Sequence, residues 1–504
     1  MTRTALLLCL LLLASPAGAT TYYVASNGAD TNNGTTKTTP WEHLPGMVTC
    51  TNTCASTTPV AGDLFILKGG DSWTNANFPV TWMWSGSAGN VITIGVDQTW
   101  FTGDAWSRPV WTAGGTAISG THNVFLNLKN SNFGVAYVTV DNLEMTGFFW
   151  TGAATYSQCG FIMGNFGNNL TLDHLYVHGW SHGTFEAGTR DDSCYIVLGD
   201  TNSPFAAGGV LQNSVIDGSD STGGGDSLVV MYSFPSAKNN VLHDLPNFLL
   251  PIHSGEISGN LIYNCNASFD SGSHENFLET LQGSGTNGTF YIFNNVFHTS
   301  VAGCEAGFLG NPGEVDYVWN NVWYNIGGNG PALTQNVSPG KEVYFWNNVI
   351  VPPAGQYCLR ARDNQNYDVI DLRNNHCITT ASPPWDPLLT ATAKTITPNT
   401  EQTPTAATAE GYTDSQTPYV YFPTTGGSTL GAGTNLTTTC SGDLAGLCTD
   451  TSYGSLAPSH TVTGVGRTAR IRGTSGAWNA GPYDLPPSSA LQGTATLGGA
   501  ASLQ

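Results

Sequence analysis

FYIFNNVF at residues 290–297, DYVWNNVW at 316–323, VYFWNNVI at 343–350 and VIDLRNNH at 369–376 are copies of one unit. Their second asparagines, Asn295, Asn321, Asn348 and Asn375, are spaced by 26, 27 and 27 residues. Looser copies run upstream: SGNLIYN at Asn260, KNNVLHD at Asn240, LQNSVID at Asn213, LDHLYVH with His174, and VDNLEMT at Asn142. Together they cover residues 138–380, the signature of a solenoid. Each unit reads as a strand, an asparagine corner and a second short strand. Asparagine tolerates left-handed backbone, and its amide can bond the local main chain or an identical amide one turn above. A leucine-rich repeat has a similar period, but its Leu-x-x-Leu-x-Leu frame is missing; the inward positions here hold Val, Ile, Phe, Tyr and Trp. An antiparallel sandwich would not space its Asn pairs so evenly. The expected fold is all-β: a right-handed parallel β-helix with an asparagine ladder.

Working outward, residues 20–60 are expected to cap the N-terminal end, with a short helix near TPWEHL. The solenoid is placed at 61–380. The Pro-, Thr- and Ala-rich stretch 381–485 is expected to wrap the other end, because open strand edges need cover. Residues 486–504 read as a low-complexity tail. At the start, Arg3, the apolar run 4–13 and Ala17-Gly18-Ala19 read as a secretory signal cleaved after Ala19. The expected location is therefore extracellular. Eleven cysteines become ten without Cys9, an even number that suits disulfides in an exported chain. Cys50 with Cys54 and Cys440 with Cys448 can close small loops; Cys159, Cys194, Cys265, Cys304, Cys358 and Cys377 can staple neighbouring coils.

The charged fraction is 10%, against roughly 25% in ordinary domains. With 15 Lys and Arg and a net charge of −20, the chain lacks the clustered bases that displace phosphate counterions. Nucleic acid and anionic membranes are excluded as partners on this ground, and a monomer is expected. An acidic polysaccharide would be repelled unless a cation or an arginine patch intervened; a neutral glycan would not.

The opening YYVASNGADTNNGTTKTTPWEHL (22–44) with AGDLFILKGGDSW (61–73), and the closing DLAGLCTD, Arg467 and WNAGPYDL (478–485), resemble secreted pectate-lyase-like β-helix proteins. The resemblance implies the β-helix and a polysaccharide substrate. It implies, for the lyases, a basic residue that removes a proton beside a uronate, often with Ca²⁺; Arg360 and Arg362 would take that part. The polygalacturonase-like hydrolases carry an Asn-Thr-Asp, an Asp pair, a Gly-His-Gly and an Arg-x-Lys. Here Asp191-Asp192 matches the pair, while the other motifs are absent or displaced.

Three connections exceed what the repeat needs: 178–200, 216–227 and 264–285. Asp191 and Asp192 are adjacent carboxyls of the kind glycosidases use in pairs, with His182 and Glu186 as other members of that loop. GWSHG (179–183) matches a nucleophile pattern but lacks the helix that should follow Ser181. Asp217, Asp220 and Asp226 among glycines could wrap Ca²⁺. Counting from the ladder asparagines brings Asp226, His253, His274 and Arg362 towards one column, with Glu275 and Asp270 able to orient an imidazole. The expected catalytic set is Asp191, Asp192, Asp226, His253, His274, Glu275 and Arg362. His178 and His298 follow strand ends and read as structural. Trp150, Trp180 and Trp323 are candidates for stacking on sugar rings. The function these features suggest is endo-cleavage of a polysaccharide, by lysis or hydrolysis, in a surface groove. A non-catalytic glycan-binding solenoid is the other reading.

Overall fold

The computed structural model describes residues 18–483, apart from 119–122, 129–133, 151–158, 164–168, 183–193, 199–207, 222–227, 233, 246, 252–253, 266–274, 281–287, 302, 310–313, 334–340, 363–366, 417–418, 450 and 454–467. The strands stack into three parallel faces. Among the described residues, a 13-stranded sheet runs from Thr21–Val24 to Ala391–Thr395, and a 12-stranded sheet from Ser72–Trp73 to Thr400–Gln402. The third face starts as six strands, Val80–Trp82 to Asn247–Leu250. Bridges Leu249 to Leu278 and Glu279 to Phe308 carry it on to Phe308–Leu309, Ala332–Leu333 and Arg360–Ala361. Successive coils add one strand to each face and pair in parallel with the coil before. That is a right-handed parallel β-helix, the hand expected of a crossover between parallel strands.

The side-chain alternation of a strand explains the repeat. In Glu342–Trp346, Val343 and Phe345 point inward and are fully buried, while Glu342 and Tyr344 point outward. Along the second face, Met145, Val177, Ile216, Leu242, Ile262, Phe297, Trp323, Ile350 and Cys377 stack in one buried column. Each large apolar side chain in it contributes about 1.5–3 kcal/mol of burial. Trp150, Trp180 and Trp323 are core residues of this kind, fully or almost fully buried, so they offer no face to a sugar.

The asparagine corner lies between the first and second faces. The first Asn of each pair takes the left-handed conformation, with φ of 57° at Asn294, 55° at Asn320, 54° at Asn347 and 61° at Asn374. The second is buried. At each step the backbone N–H and side-chain amide of one Asn donate to the side-chain oxygen of the next, as from Asn295 to Asn321 at 3.0 and 2.9 Å. The same amide also donates to a strand carbonyl, Ile257 O at 2.7 Å. The column runs Asn240, Asn260, Asn295, Asn321, Asn348, Asn375, Asn399. Upstream the sequence alignment was one residue out of register. Asn142, His174 and Asn213 stand at the left-handed position, with φ of 56°, 50° and 49°, and the buried column continues through Ser214, Leu175 and Leu143. A unit with one polar corner residue does not reveal which of two adjacent columns it fills. The count that aligned Asp226 with His253 is shifted by one for this reason.

At the N-terminal end the helix is Asn52–Ser56, not TPWEHL. Trp41 is buried and bonded in extended geometry to Tyr23 and Ala25, and Asp30 collects the N–H groups of Glu42 and His43. A side-chain acceptor thus replaces the carbonyls that a helix would use. Cys50–Cys54, Cys265–Cys304, Cys358–Cys377 and Cys440–Cys448 are disulfides, as the spacing allows, and Cys194 is disulfide-bonded as well. Such bonding is typical of oxidising compartments. No helix among the described residues is long and apolar enough to cross a membrane.

The C-terminal segment lies over the outer faces of the later coils. Leu436, Leu447 and Trp478 pack on Trp319 and Trp346 of the first face; Tyr412, Tyr419, Tyr421 and Tyr483 pack on Val296, Val322 and Val349 of the second. Buried Arg472 fastens it, donating to Asn320 Oδ1 at 3.1 Å and to the carbonyls of Gly481 and Pro482 at 3.3 and 3.1 Å. Replacing it, Arg472→Ala, should cost about 2 kcal/mol. Limited proteolysis should then cut within 433–483 sooner than in the unaltered protein.

One buried charge works against stability. Lys341 is fully buried just before the strand Glu342–Trp346, its amine has no hydrogen-bond partner among the described residues, and the Tyr367 ring lies 5.1 Å away. Burial pulls its pKa down to about 8, with only partial relief from Glu314. A lowered lysine pKa means the folded state holds its proton less tightly than the unfolded chain. The penalty is full below pH 8 and disappears as pH rises towards the ordinary value of 10.5. Lys341→Met should therefore stabilise by roughly 1–3 kcal/mol at pH 7 and by almost nothing at pH 10.5, measured by urea denaturation at the two pH values.

Candidate functional site

The outward positions of the second face form two columns. The outer one, nearest the connection to the third face, runs Thr146, His178, Asp217, His243, Tyr263, His298, Tyr324 in strand register. The inner column begins with Glu144 and Tyr176 and becomes valine and leucine from Val215 onward. The polar half of this ribbon therefore spans the coils from Glu144 to His298.

His178 is held from both sides. Its Nδ1 lies 2.7 Å from Asp220 Oδ2 and its Nε2 3.2 Å from Glu144 Oε1. The Gly179 N–H donates to the other Asp220 oxygen at 2.7 Å. Partial burial pulls the imidazole's pKa down, but the two carboxylates outweigh it and the net shift is upward. A ring that donates from both nitrogens is an imidazolium. The clamp's contribution to stability is complete below the ordinary histidine value and is lost as pH rises through the raised one.

His243 is held from one side only. Its Nδ1 lies 2.6 Å from Asp244 Oδ2 and 3.6 Å from Asp217 Oδ1. Asn264 orients Asp244 from 3.2 Å, and the Ser219 N–H and hydroxyl fix Asp217 at 2.9 and 2.6 Å. The ring lies flat on Tyr263, centroids 4.8 Å apart and 4° from parallel. No described residue bonds Nε2. A carboxylate on Nδ1 fixes the tautomer that leaves a lone pair on Nε2, the arrangement of a general base.

The tyrosines bordering the pair stay neutral. Burial, then the charges of Asp217, Asp220 and Glu144, pushes Tyr176 up to about 12. Burial, then Asp244 and Asp217, does the same to Tyr263. Burial alone takes His298 down to about 4, so it is an uncharged stacking partner between Tyr263 and Tyr324.

Around the asparagine corner lies a second cluster, Asp141, Asp173 and His174. His174 Nδ1 stands 2.8 Å from Asp173 and 3.4 Å from Asp141. Burial, reinforced by the Asp173 charge, raises the Asp141 pKa. Arg108 reaches the same corner, its Nε donating to the His174 carbonyl at 3.1 Å. Two trios, Asp141–Asp173–His174 and Asp217–His243–Asp244, bring one donor atom each within 4.8 Å and could hold a divalent cation.

Of the residues the sequence singled out, Asp191, Asp192, Asp226, His253, His274, Asp270 and Glu186 lie outside the described residues, as does the His182 side chain. Glu275 is buried beside the third face. Arg362 is exposed there, its guanidinium 4.7 Å above the Phe308 ring, and Arg360 pairs with Glu305 at 3.4 Å. Asp217 and Asp220 are close in sequence but serve different histidines. His178, read from the sequence as structural, joins two carboxylates within the ribbon. Glu144, His243 and Asp244 were missed altogether. The signal was present in YVH, VID, VLH, LIY, VFH and VWY: the third residue of each of these six second-face strands is His, Asp or Tyr.

No protein-family profile matches the chain, and no curated protein matches it in sequence. Solved structures with a similar course of the chain include a GH136 lacto-N-biosidase from Eubacterium ramulus, 14% identical, covering 76% of this chain and 68% of that one, TM-score 0.40. The complex of XylC with xylose is 13% identical over 68% of this chain and 70% of that one, TM-score 0.39. Pectate lyase Pel9A is 14% identical over 93% and 97%, TM-score 0.32. Likeness at this level says nothing of chemistry. By its own strand register and asparagine column, the fold is a right-handed parallel β-helix.

Proposed function

We propose that this chain is an exported carbohydrate-active enzyme that hydrolyses a neutral polysaccharide along the polar ribbon of the second face. The observation that carries this reading is the unequal pair of histidines: His178 clamped between two carboxylates, and His243 bonded, among the described residues, through Nδ1 alone. A carboxylate-clamped imidazole, on the next coil but one from an imidazole whose Nε2 no described residue bonds, is the arrangement of an acid and a base. In this scheme His243 Nε2 takes a proton from water, whose oxygen attacks the anomeric carbon. The glycosidic C–O bond breaks, and the leaving oxygen takes the proton of the His178–Asp220 pair. One coil, that of Asp217, separates the two rings, which sets them about 9–10 Å apart at the spacing of neighbouring strands. That leaves room for a water between base and sugar and favours inversion at the anomeric carbon.

Neutral substrate follows from charge. Glu144, Asp217, Asp220 and Asp244 surround the histidines and would repel a uronate carboxylate, and Arg108, whose charge Glu144 feels, is turned to the asparagine corner, where it donates to the His174 carbonyl. A Ca²⁺ ion held by one of the Asp–His trios would be needed before an acidic glycan could bind. Asp191, Asp192, Asp226 and His274 belong to the connections that follow second-face strands, and they are proposed to complete the site from those loops.

The test is incubation with neutral and acidic glycans, with and without Ca²⁺. New reducing ends without ultraviolet absorbance are expected from a neutral glycan. Retention without cleavage, unchanged in His243→Gln, would favour a binding protein instead. The rate should also fall at high pH, as His178 loses its proton above the ordinary histidine range.

A further inference from the structure

We infer that the ribbon is closed at one end, so that the chain trims polysaccharide from an end and does not cut at internal bonds; this rests on the function proposed above. The closure is built from the two tyrosines Tyr324 and Tyr421. From His243 the outer column continues through Tyr263, His298 and Tyr324, with ring spacings of 4.8, 5.1 and 4.9 Å. Exposure is uneven along the column: Asp217, His243 and Tyr324 are 2%, 7% and 8% exposed, while Tyr263 and His298 are part-exposed. At Tyr324 the cover is the C-terminal segment, which crosses the column there. Tyr421 meets Tyr324 edge to face, centroids 5.9 Å apart, and is itself 8% exposed. Asn325, next to Tyr324, donates to Asp414 Oδ2 at 3.2 Å, and the Tyr421 N–H donates to Thr413 O at 2.9 Å. Beyond this crossing Val349 of the inner column is buried in one cluster with Tyr412 and Tyr419, and Phe422 packs against that cluster.

At the other end the next outer positions among the described residues, Thr146 and Thr112, are part-exposed. Asp220, bonded to His178, has a half-exposed side chain, and the outer column continues past it through Thr146 and Thr112. A glycan lying along the solenoid therefore meets the C-terminal segment at Tyr324 in one direction and part-exposed polar residues in the other. Between His243 and the tyrosine wall there is room for about three glycosyl units, at one per coil spacing of ~4.8 Å. The same rings explain why the wall is rigid. The stack His243–Tyr263–His298–Tyr324 is continuous, so the wall and the base share one row of packed rings.

The experiment uses the full chain and the neutral glycan on which it is active. Polymer length is followed by size-exclusion chromatography, and reducing ends are counted in the same samples. Short products of uniform size should accumulate while the remaining polymer keeps most of its length. An early collapse of polymer length, with reducing ends rising, would overturn the wall while leaving the catalytic reading intact. A complete absence of new reducing ends would overturn both. Tyr421→Ala should open the roof and lengthen the products severalfold; Tyr421→Phe, which keeps the ring, should leave them short. Should Tyr421→Ala fold poorly, the product sizes of the unaltered protein decide the question alone.

Discussion

His243→Gln is expected to lower the rate of glycan cleavage by about 10²–10⁴-fold, the usual loss when a positioned proton acceptor is removed. The substitution keeps a polar side chain of similar reach over Tyr263, so the coil beneath should survive; an unchanged thermal midpoint would establish that. Asp244→Asn should give a smaller loss of the same kind. Its oxygen could still accept a bond from Nδ1, but the charge that stabilises a protonated ring would be gone. His178→Gln should remove the high-pH limb of the rate profile, because the raised proton affinity comes from Glu144 and Asp220 acting on that ring. A structural role for either histidine would instead move stability and leave the shape of the profile alone.

Asn321→Leu is expected to destabilise the solenoid by about 3–5 kcal/mol, among the largest losses a single change can bring here. The side chain is fully buried and makes contacts in both directions along the ladder. It accepts from the Asn295 N–H and amide at 3.0 and 2.9 Å, and donates to Ile292 O and Asn348 Oδ1 at 2.8 and 3.1 Å. Leucine has similar bulk but leaves the Asn295 donors and the Ile292 carbonyl without partners in the interior. Urea denaturation should show the loss. Because each coil leans on its neighbours, the transition should also broaden or split between the coils before and after 321. Asn320→Gly, by contrast, should cost little through the backbone, since φ is 55° there and glycine adopts it freely; its remaining cost is the bond to Arg472.

The fold was legible because an asparagine column needs the same residue at the same place in every coil. Asn295, Asn321, Asn348 and Asn375 announce it by spacing alone. Legibility faded where one corner residue replaced two. At Asp173-His174 and Gln212-Asn213 nothing in the local sequence says whether the polar residue faces the interior or occupies the left-handed position. That single-residue ambiguity moved the predicted columns. The site was less legible for a related reason. Glu144, His178 and His243 are spread over a hundred residues, and only strand register brings Glu144 beside Tyr176 and places Asp217 between the histidines. Tryptophan misled in the opposite direction. A large ring in a Gly- and Thr-rich chain looks available for a sugar, yet the interior of a three-sided coil is what needs the bulk, and Trp150, Trp180 and Trp323 fill it.

The most direct measurement is a crystal structure of the protein with a neutral oligosaccharide product. The sugar should lie along the outer column between His178 and Tyr324, with an oxygen at the cleaved position within about 2.6–3.2 Å of His243 Nε2. A sugar bound over the third face, beside Arg360 and Arg362, with the histidine column empty, would contradict it.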